Sequence, residues 1–411
     1  MKSADIIVVG AGAAGLTAAI YAASSGSRVL VLERTDKAGK KILMSGGTRC
    51  NVLPVVMSLS DYHTDSSPNL LRRIFKSWSV AACKDWFQHD LGLPLACEAD
   101  TNKWFPVSNQ ARDVRDVLVN KLISTGAQIL YNKHVTALKK DEQTQNWFIS
   151  TEDGLKYSTH AVIWASGGLS VPTIGTDGSG HRVLKETGIS ITPTYPALTP
   201  LTGPHPGTDN LAGISLNVKL TAAANASSRE GFLFTHKGFS GPAVLDASHH
   251  VTRYVQQENT TASQKPELSV NWSGDSEQVW ITRFATGKGT VRSVIRDYLP
   301  NRLTDALLSD EPIADKRAAE CSRTDRTRLI QKLTRFTLPW TGHEGYRKAE
   351  VTGGGVPLES IDTATMAHKQ DPSLFLCGEI IDVFGRIGGF NFYWAWVSGR
   401  LAGLSAGRLS R

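Results

Sequence analysis

Three glycines near the start of the chain, Gly10, Gly12 and Gly15, stand in the spacing G-x-G-x-x-G, and an acid, Glu33, follows 18 residues after the last of them. These residue types at this spacing suit the capture of a dinucleotide. Gly10 permits a tight turn, Gly12 lets the backbone come close to a pyrophosphate, and Gly15 lets a helix pack against a strand. The first helix turn presents unpaired N–H groups and the positive end of its dipole to phosphates. An acid about 20 residues further on binds a ribose hydroxyl. The plainer alternative, a glycine-rich turn that binds nothing, leaves the placing of Glu33 unexplained.

A second constellation lies near the other end. Gly378-Glu379 follows the apolar run Ser373–Cys377, Asp382 comes next, and Gly388-Gly389-Phe390-Asn391 precedes a helical pattern. In two-dinucleotide-fold flavoproteins, a late strand ending in Gly-Glu or Gly-Asp brings a carboxylate to the ribityl or phosphate region. The helix after it points its N-terminus at the flavin C2 carbonyl, where negative charge collects on reduction. The pair of motifs therefore predicts FAD. A second G-x-G-x-x-G is absent, since Gly175, Gly178 and Gly180 have the wrong spacing. NADH or NADPH is then expected only as a transient electron donor. Arg49, Cys50 and His236 are the catalytic candidates. Arg49 pairs with an anionic group or forms a structural ion pair, Cys50 touches the flavin or packs inertly, and His236 acts as acid or base or is simply an exposed loop residue.

The elements that must position these residues can be read along the chain. Ala4–Val9 and Arg28–Leu32 are apolar runs on either side of a helical pattern that ends at Gly26. A helical region is expected around Leu70–His89, an amphipathic helix at Ala111–Thr125, and a strand at Ile129–Leu138. A hairpin at Asn146–Tyr157 turns at Asp153-Gly154, and Ala161–Ala165 is a buried strand. Strands are expected at Leu216–Ala223, Gly231–Thr235, Glu267–Trp272 and Gln278–Phe284. Helices follow at Thr290–Leu299 and Thr324–Phe336, and a last one at Asn391–Gly403. The fold class is α/β: a split doubly wound, Rossmann-like FAD-binding domain with an inserted β-barrel-like subdomain and a small helical subdomain. The expected boundaries are 1–190 for the first part of the FAD-binding domain, 191–285 for the β-rich insert, 286–345 for the helical insert and 346–411 for the second part.

Composition narrows the function class. Five cysteines (50, 83, 97, 321, 377) form no C-x-x-C pair, which suits reduced thiols and excludes a disulfide framework or a zinc site. No apolar run reaches the ~18 residues a membrane span needs. The first strand begins within four residues of the start, leaving no room for a signal peptide. A cytoplasmic protein with no metal and no membrane partner is expected. Net charge +7 and a pI near 9.1, with ten tryptophans, point weakly to an anionic partner such as RNA.

Four segments together resemble a known group. Lys40–Asn51, Leu233–Pro242, Ala349–Val356 and Gly378–Asn391 are similar, in this order, to the motifs of the bacterial HI0933-like flavoproteins, also called the YhiN or BaiN family. The resemblance extends over nearly the whole chain. It implies non-covalent FAD in a split domain with two inserts. It also implies cofactor contacts at Gly10, Gly12, Ala14, Gly15, Glu33, Arg34, Lys41, Ser45, Gly46, Arg49, Cys50, Asn51, Val135, Gly167, Gly378, Glu379, Asp382, Gly388, Gly389, Phe390 and Asn391. The family's reactions include reduction of carbon–carbon double bonds in steroid-like acids, oxidation of aminoacetone with dioxygen, and reduction of uridine in ribosomal RNA. The expected activity is an FAD-dependent oxidoreductase that moves a hydride between the flavin and an unsaturated or amine-bearing carbon substrate. A small molecule is the expected substrate, and RNA the alternative partner. This sequence departs from the family at Val52-Leu53-Pro54, which puts substrate contacts from that loop in question.

Overall fold

The computed structural model describes residues 2–207, 211–222, 225–226, 230–257 and 265–410. Two compact units are present: Met1–Thr194 with Val351–Arg411, and Tyr195–Glu350.

The first unit is built on a six-stranded sheet. Its strands are Ile6–Val9 (β1), Val29–Leu32 (β2), Gln128–Leu130 (β3), Ala161–Trp164 (β4), Ala367–His368 (β5) and Asp371–Leu376 (β6), in the order β5-β6-β4-β1-β2-β3. All pairings are parallel except that of β5 with β6. Every residue of β1, β2 and β4 is buried, as a parallel strand covered on both faces requires. The helices that flank the sheet and its turns include Ala13–Ala23 (α1), Ala111–Ser124 (α2), Ser179–Glu186 (α3) and Phe390–Leu409 (α4).

β6 and α4 complete the sheet begun at β1, so the two ends of the chain meet. α4 lies directly on α1. A Cβ added at Gly399 would sit 2.4 Å from the Ala14 carbonyl oxygen, and one at Gly403 would sit 2.2 Å from that of Ala18. Only glycine permits backbones this close.

A second sheet in this unit joins Lys2–Ser3, Lys156–Thr159, Trp147–Thr151 and Val135–Lys140. Its hairpin turns at Asp153-Gly154, where Gly154 takes φ +79°. The single strand expected at 129–138 is two strands in different sheets. Asn132 adopts φ +55°, and its N–H donates to the Thr35 carbonyl while that of Lys133 donates to Glu33. These bonds turn the chain out of the central sheet. The expected helix at 70–89 is likewise broken, into Pro68–Phe75, Val80–Asp85 and a π-turn at Trp86–Asp90.

The second unit carries an antiparallel sheet that includes Ser215–Ala222, Glu230–Thr235 and Leu268–Asn271, close to their expected positions. Gln278–Phe284 is not a strand. It lies in a helix, Glu277–Thr286, capped by Ser276. Trp280 and Phe284, four apart, bury one face of it. Pro242–Gln257 is a further helix that the apolar pattern did not suggest. Trp272 and Phe234 from the sheet share one core with Trp280, Ile295, Leu303 and Leu329 from the helices.

Candidate active site

The N-terminal glycines do three different jobs. Gly10 sits at φ +98° between β1 and α1, and a Cβ there would lie 2.5 Å from the Ala165 carbonyl oxygen. A Cβ on Gly15 would lie 1.9 Å from the Gly10 oxygen, so the helix can approach the turn only without a side chain. Gly12 differs: nothing lies within 4 Å of its Cβ position. It is the N-cap of α1, with no side-chain cap on the helix end. Gly10 and Gly15 are demanded by the fold, whereas Gly12 borders open space at a bare helix N-terminus. That arrangement fits a pyrophosphate.

Glu33 stands at the end of β2. Its carboxylate accepts the Ala11 N–H (2.8 Å) and the N–H and hydroxyl of Thr35 (2.8 Å each). These bonds aim the acid at the loop that carries Gly12 and leave one acceptor site, on Oε2, for a ribose hydroxyl. Arg34 pairs instead with Asp177 at 2.7 Å. Although burial opposes it, hydrogen bonds from Arg34 and Ser179 hold the Asp177 carboxyl below the usual range. Val135 is buried at the head of its strand, next to the turn that the Lys133 N–H ties to Glu33.

The C-terminal motif meets this cradle. Gly378 follows β6 at φ +77°, and a Cβ there would lie 2.7 Å from that of Ala14. Ser398 accepts its N–H and Trp394 donates to its carbonyl, which locks the turn to α4. Glu379 is a hub. It accepts from Lys41 Nζ (2.6 Å), Ser170 Oγ (3.0 Å) and the Thr352 N–H (2.9 Å). Lys41 also donates to Ser170 (2.5 Å). The turn at Gly167, φ +73°, runs alongside, and a Cβ on Gly168 would strike Thr352 and Glu379. Asp382 is fully buried and accepts the N–H groups of Gly354 and Asp65 at 3.0 Å each. Ser170 and Thr352 were not anticipated from the sequence. Thr352 lies inside one of the resembling segments, whereas Ser170 carried no signal.

Gly388 and Gly389 adopt φ +131° and +88° and open α4. Asn391 ties its side chain to both backbone groups of Gly385 (2.8 Å each). Phe390 packs beside Tyr62, whose hydroxyl donates to the Phe390 carbonyl. Asn51, oriented to satisfy both ends of its amide, donates to the Leu53 carbonyl and accepts the Gly389 N–H (3.0 Å). Ser45 donates to the Ile42 carbonyl, and Gly46 and Gly47 form a left-handed turn beneath it.

The three catalytic candidates fare differently. Arg49 donates to Glu98 and to Asn109, both at 2.9 Å, and lies over the Phe105 ring. The structural alternative thus describes it in this structure. Cys50 is fully buried, and burial pushes its thiol up to about 12. Burial of this kind disfavours the thiolate that a nucleophile needs. His236 is exposed in the turn between Glu230–Thr235 and Gly238–Ser240, in the second unit. Another histidine, His181 on α3, went unremarked in the sequence. It is 7% exposed, and burial lowers it to about 4, with Glu379 pulling less strongly the other way. Among the described residues no cluster of His, Cys, Asp and Glu is arranged to hold a metal, and no helix is long and apolar enough to cross a membrane.

Comparison with known proteins agrees with this geometry. Residues 4–405 match the family described as HI0933-like protein Rossmann domain. A ribosomal RNA dihydrouridine synthase of Escherichia coli is 30% identical over 97% of this chain and 96% of its own length. A 3-dehydro-bile acid delta(4,6)-reductase of Clostridium scindens is 28% identical over 97% and 98%. Among solved structures, the chain is similar to a 3-ketosteroid delta1-dehydrogenase of Sterolibacterium denitrificans, with a TM-score of 0.54, 12% identity and complete coverage of both chains. It is also similar to a quinol fumarate reductase of E. coli, with a TM-score of 0.52, 16% identity, and coverage of 100% of this chain and 71% of the other. These two likenesses concern the fold.

Proposed function

The chain belongs to the HI0933-like family and is an FAD-dependent oxidoreductase, and from that premise we propose that it reduces a carbon–carbon double bond conjugated to a carbonyl, uridine in RNA being the substrate to test first. One observation carries the reading. The named relatives that span the whole chain, a dihydrouridine synthase and a bile-acid delta(4,6)-reductase, share one piece of chemistry. The C5=C6 bond of uracil is conjugated to its C4 carbonyl, and a delta-4,6 bond system is conjugated to a 3-oxo group. RNA is placed first because a second such synthase, from Haemophilus influenzae, is also 30% identical over 98% of both chains. The net charge of +7 is compatible with it.

FAD, when bound, supplies the hydride-transfer chemistry. The chain's own residues supply binding and orientation. Gly12 and the start of α1 would take the pyrophosphate, in the turn that Gly10 and Gly15 shape, and Glu33 would take a ribose hydroxyl. Lys41, Ser170 and Glu379 brace the turn after β6, and the start of α4 would offer its positive pole to the pyrimidine edge of a bound flavin. Cys50, buried with its thiol pushed up, is assigned no role in proton transfer.

The purified yellow protein, kept anaerobic, is to be mixed with NADH and with NADPH while the visible flavin band is followed. Bleaching by one of them, then recovery on adding unmodified ribosomal RNA with formation of dihydrouridine, is the expected result. Recovery with a conjugated steroid ketone but not with RNA keeps the reaction and replaces the substrate. Bleaching by an amine, with neither nicotinamide effective, overturns the reading in favour of amine oxidation.

A further inference from the structure

One cation near the start of α4 has no part in the contacts described so far. Lys103 begins the strand Lys103–Pro106, and Pro54 of the short strand Leu53–Pro54 stands opposite it. That short strand rests on the opening of α4. A Cβ at Gly389 would lie 2.8 Å from the Leu53 carbonyl carbon and 3.0 Å from the Pro54 nitrogen. The Lys103 side chain crosses the same place, with its Cε 3.5 Å from the Cβ position of Gly388. An ammonium-bearing chain is thus laid beside Gly388, the residue before the N-cap of a 20-residue helix.

This placement is electrostatically odd. The N-terminus of α4 is already a positive pole, with no side-chain cap and no acid in its first turn. A cation there is disfavoured unless electron-rich matter shares the site. The neighbouring acids are committed elsewhere. Glu98, directly opposite Lys103 in the ladder, feels its charge but bonds Arg49 and Thr101. Asp61 bonds Arg386, at 2.7 Å. No carboxylate reaches ion-pair distance of Lys103 among the described residues.

We propose that Lys103 sits against the N1–C2 carbonyl edge of the bound flavin, reinforcing the helix pole there and raising the reduction potential. The proposal rests on the reading of α4 as the helix that faces that edge. It needs no new co-reactant: as two electrons and a proton enter the ring at N5, negative charge builds at N1 and the carbonyl oxygen, and Lys103 neutralises it.

The test uses holoprotein carrying Lys103→Met and Lys103→Arg. FAD content, thermal stability and the two-electron midpoint potential are measured by equilibration with reference dyes. Lys103→Met is expected to disfavour reduction at least tenfold, a drop of about 30 mV, and to weaken the sulfite adduct at N5 by a similar factor. Lys103→Arg should stay within threefold of the parent in both. A Lys103→Met protein with normal FAD and an unchanged potential overturns the proposal. Should that variant not retain FAD, Lys103→Gln takes its place, and equal potentials for Gln and Arg overturn it equally. A parent protein that binds no FAD overturns the cofactor assignment itself.

Discussion

Gly12 and Gly15 stand three residues apart, and the structure asks opposite things of them. Gly15→Ala would drive a methyl to 1.9 Å from the Gly10 oxygen, so the helix must shift off the sheet. Overpacking of this kind costs roughly 1–3 kcal/mol or more, and a lower melting temperature of the apoprotein measures it. Gly12→Ala meets no protein atom. Its apoprotein should melt with the parent, while FAD affinity, read by fluorescence titration, falls at least tenfold. His181 gives a pH signature. Its folded-state value of about 4, against an ordinary 6.5, means that the unfolded chain takes up a proton that the folded one refuses. Stability is therefore lost as pH falls from 6.5 through about 4, by about 3 kcal/mol for this residue. His181→Gln should flatten the urea midpoint over that window. Thiol labelling of the native protein should mark Cys97, which is exposed, and spare the buried Cys50. Single-residue chemistry was only partly legible. The backbone roles of Gly10 and Gly15 follow from spacing, because a turn is a local matter. That Arg49 is held by Glu98, 49 residues away, or that Lys41 meets Glu379 across 338, is tertiary pairing that no local pattern encodes.

At the level of elements, the seam between α1 and α4 carries the most weight. Gly399 and Gly403 press on the backbone of Ala14 and Ala18, and Gly407 presses on Ser25 one turn further along. The three glycines recur every fourth residue, so they line one face of the helix. Gly403→Val should abolish soluble, yellow protein, since the helix that completes the sheet could no longer dock. Gly26→Ala, where no atom lies within 4 Å but φ is +89°, should cost only about 1–2 kcal/mol. Strands β1, β2, β4 and β6 were readable as apolar runs because both their faces are covered. The helix Glu277–Thr286 was misread for a related reason: a short apolar run does not reveal its period, and only the Trp280–Phe284 spacing with the Ser276 cap speaks for helix. The split of 129–138 between two sheets hinges on the left-handed Asn132, whose type permits that conformation without demanding it.

For the whole molecule, the outline of an α/β flavoprotein was legible, and the surface was not. The ten tryptophans weighed toward RNA when only composition was known. Nine of them are buried, and Trp104 is partly so, so they are core and offer no bases a stacking face. The RNA reading therefore stands on relatives and charge, and it makes a demand at this scale. Affinity for a ribosomal RNA fragment should fall steeply between about 50 and 200 mM salt, and a flat profile in a binding titration would remove RNA as substrate. The interleaving of the first unit has a further consequence during synthesis. β4 leaves the ribosome about 200 residues ahead of β6, the neighbour that closes its open side, at elongation rates of about 5–20 residues per second. For tens of seconds the nascent chain holds an Ala-Val-Ile-Trp edge with nothing to pair with. Such an edge is a template for aggregation until β6 arrives to cover it.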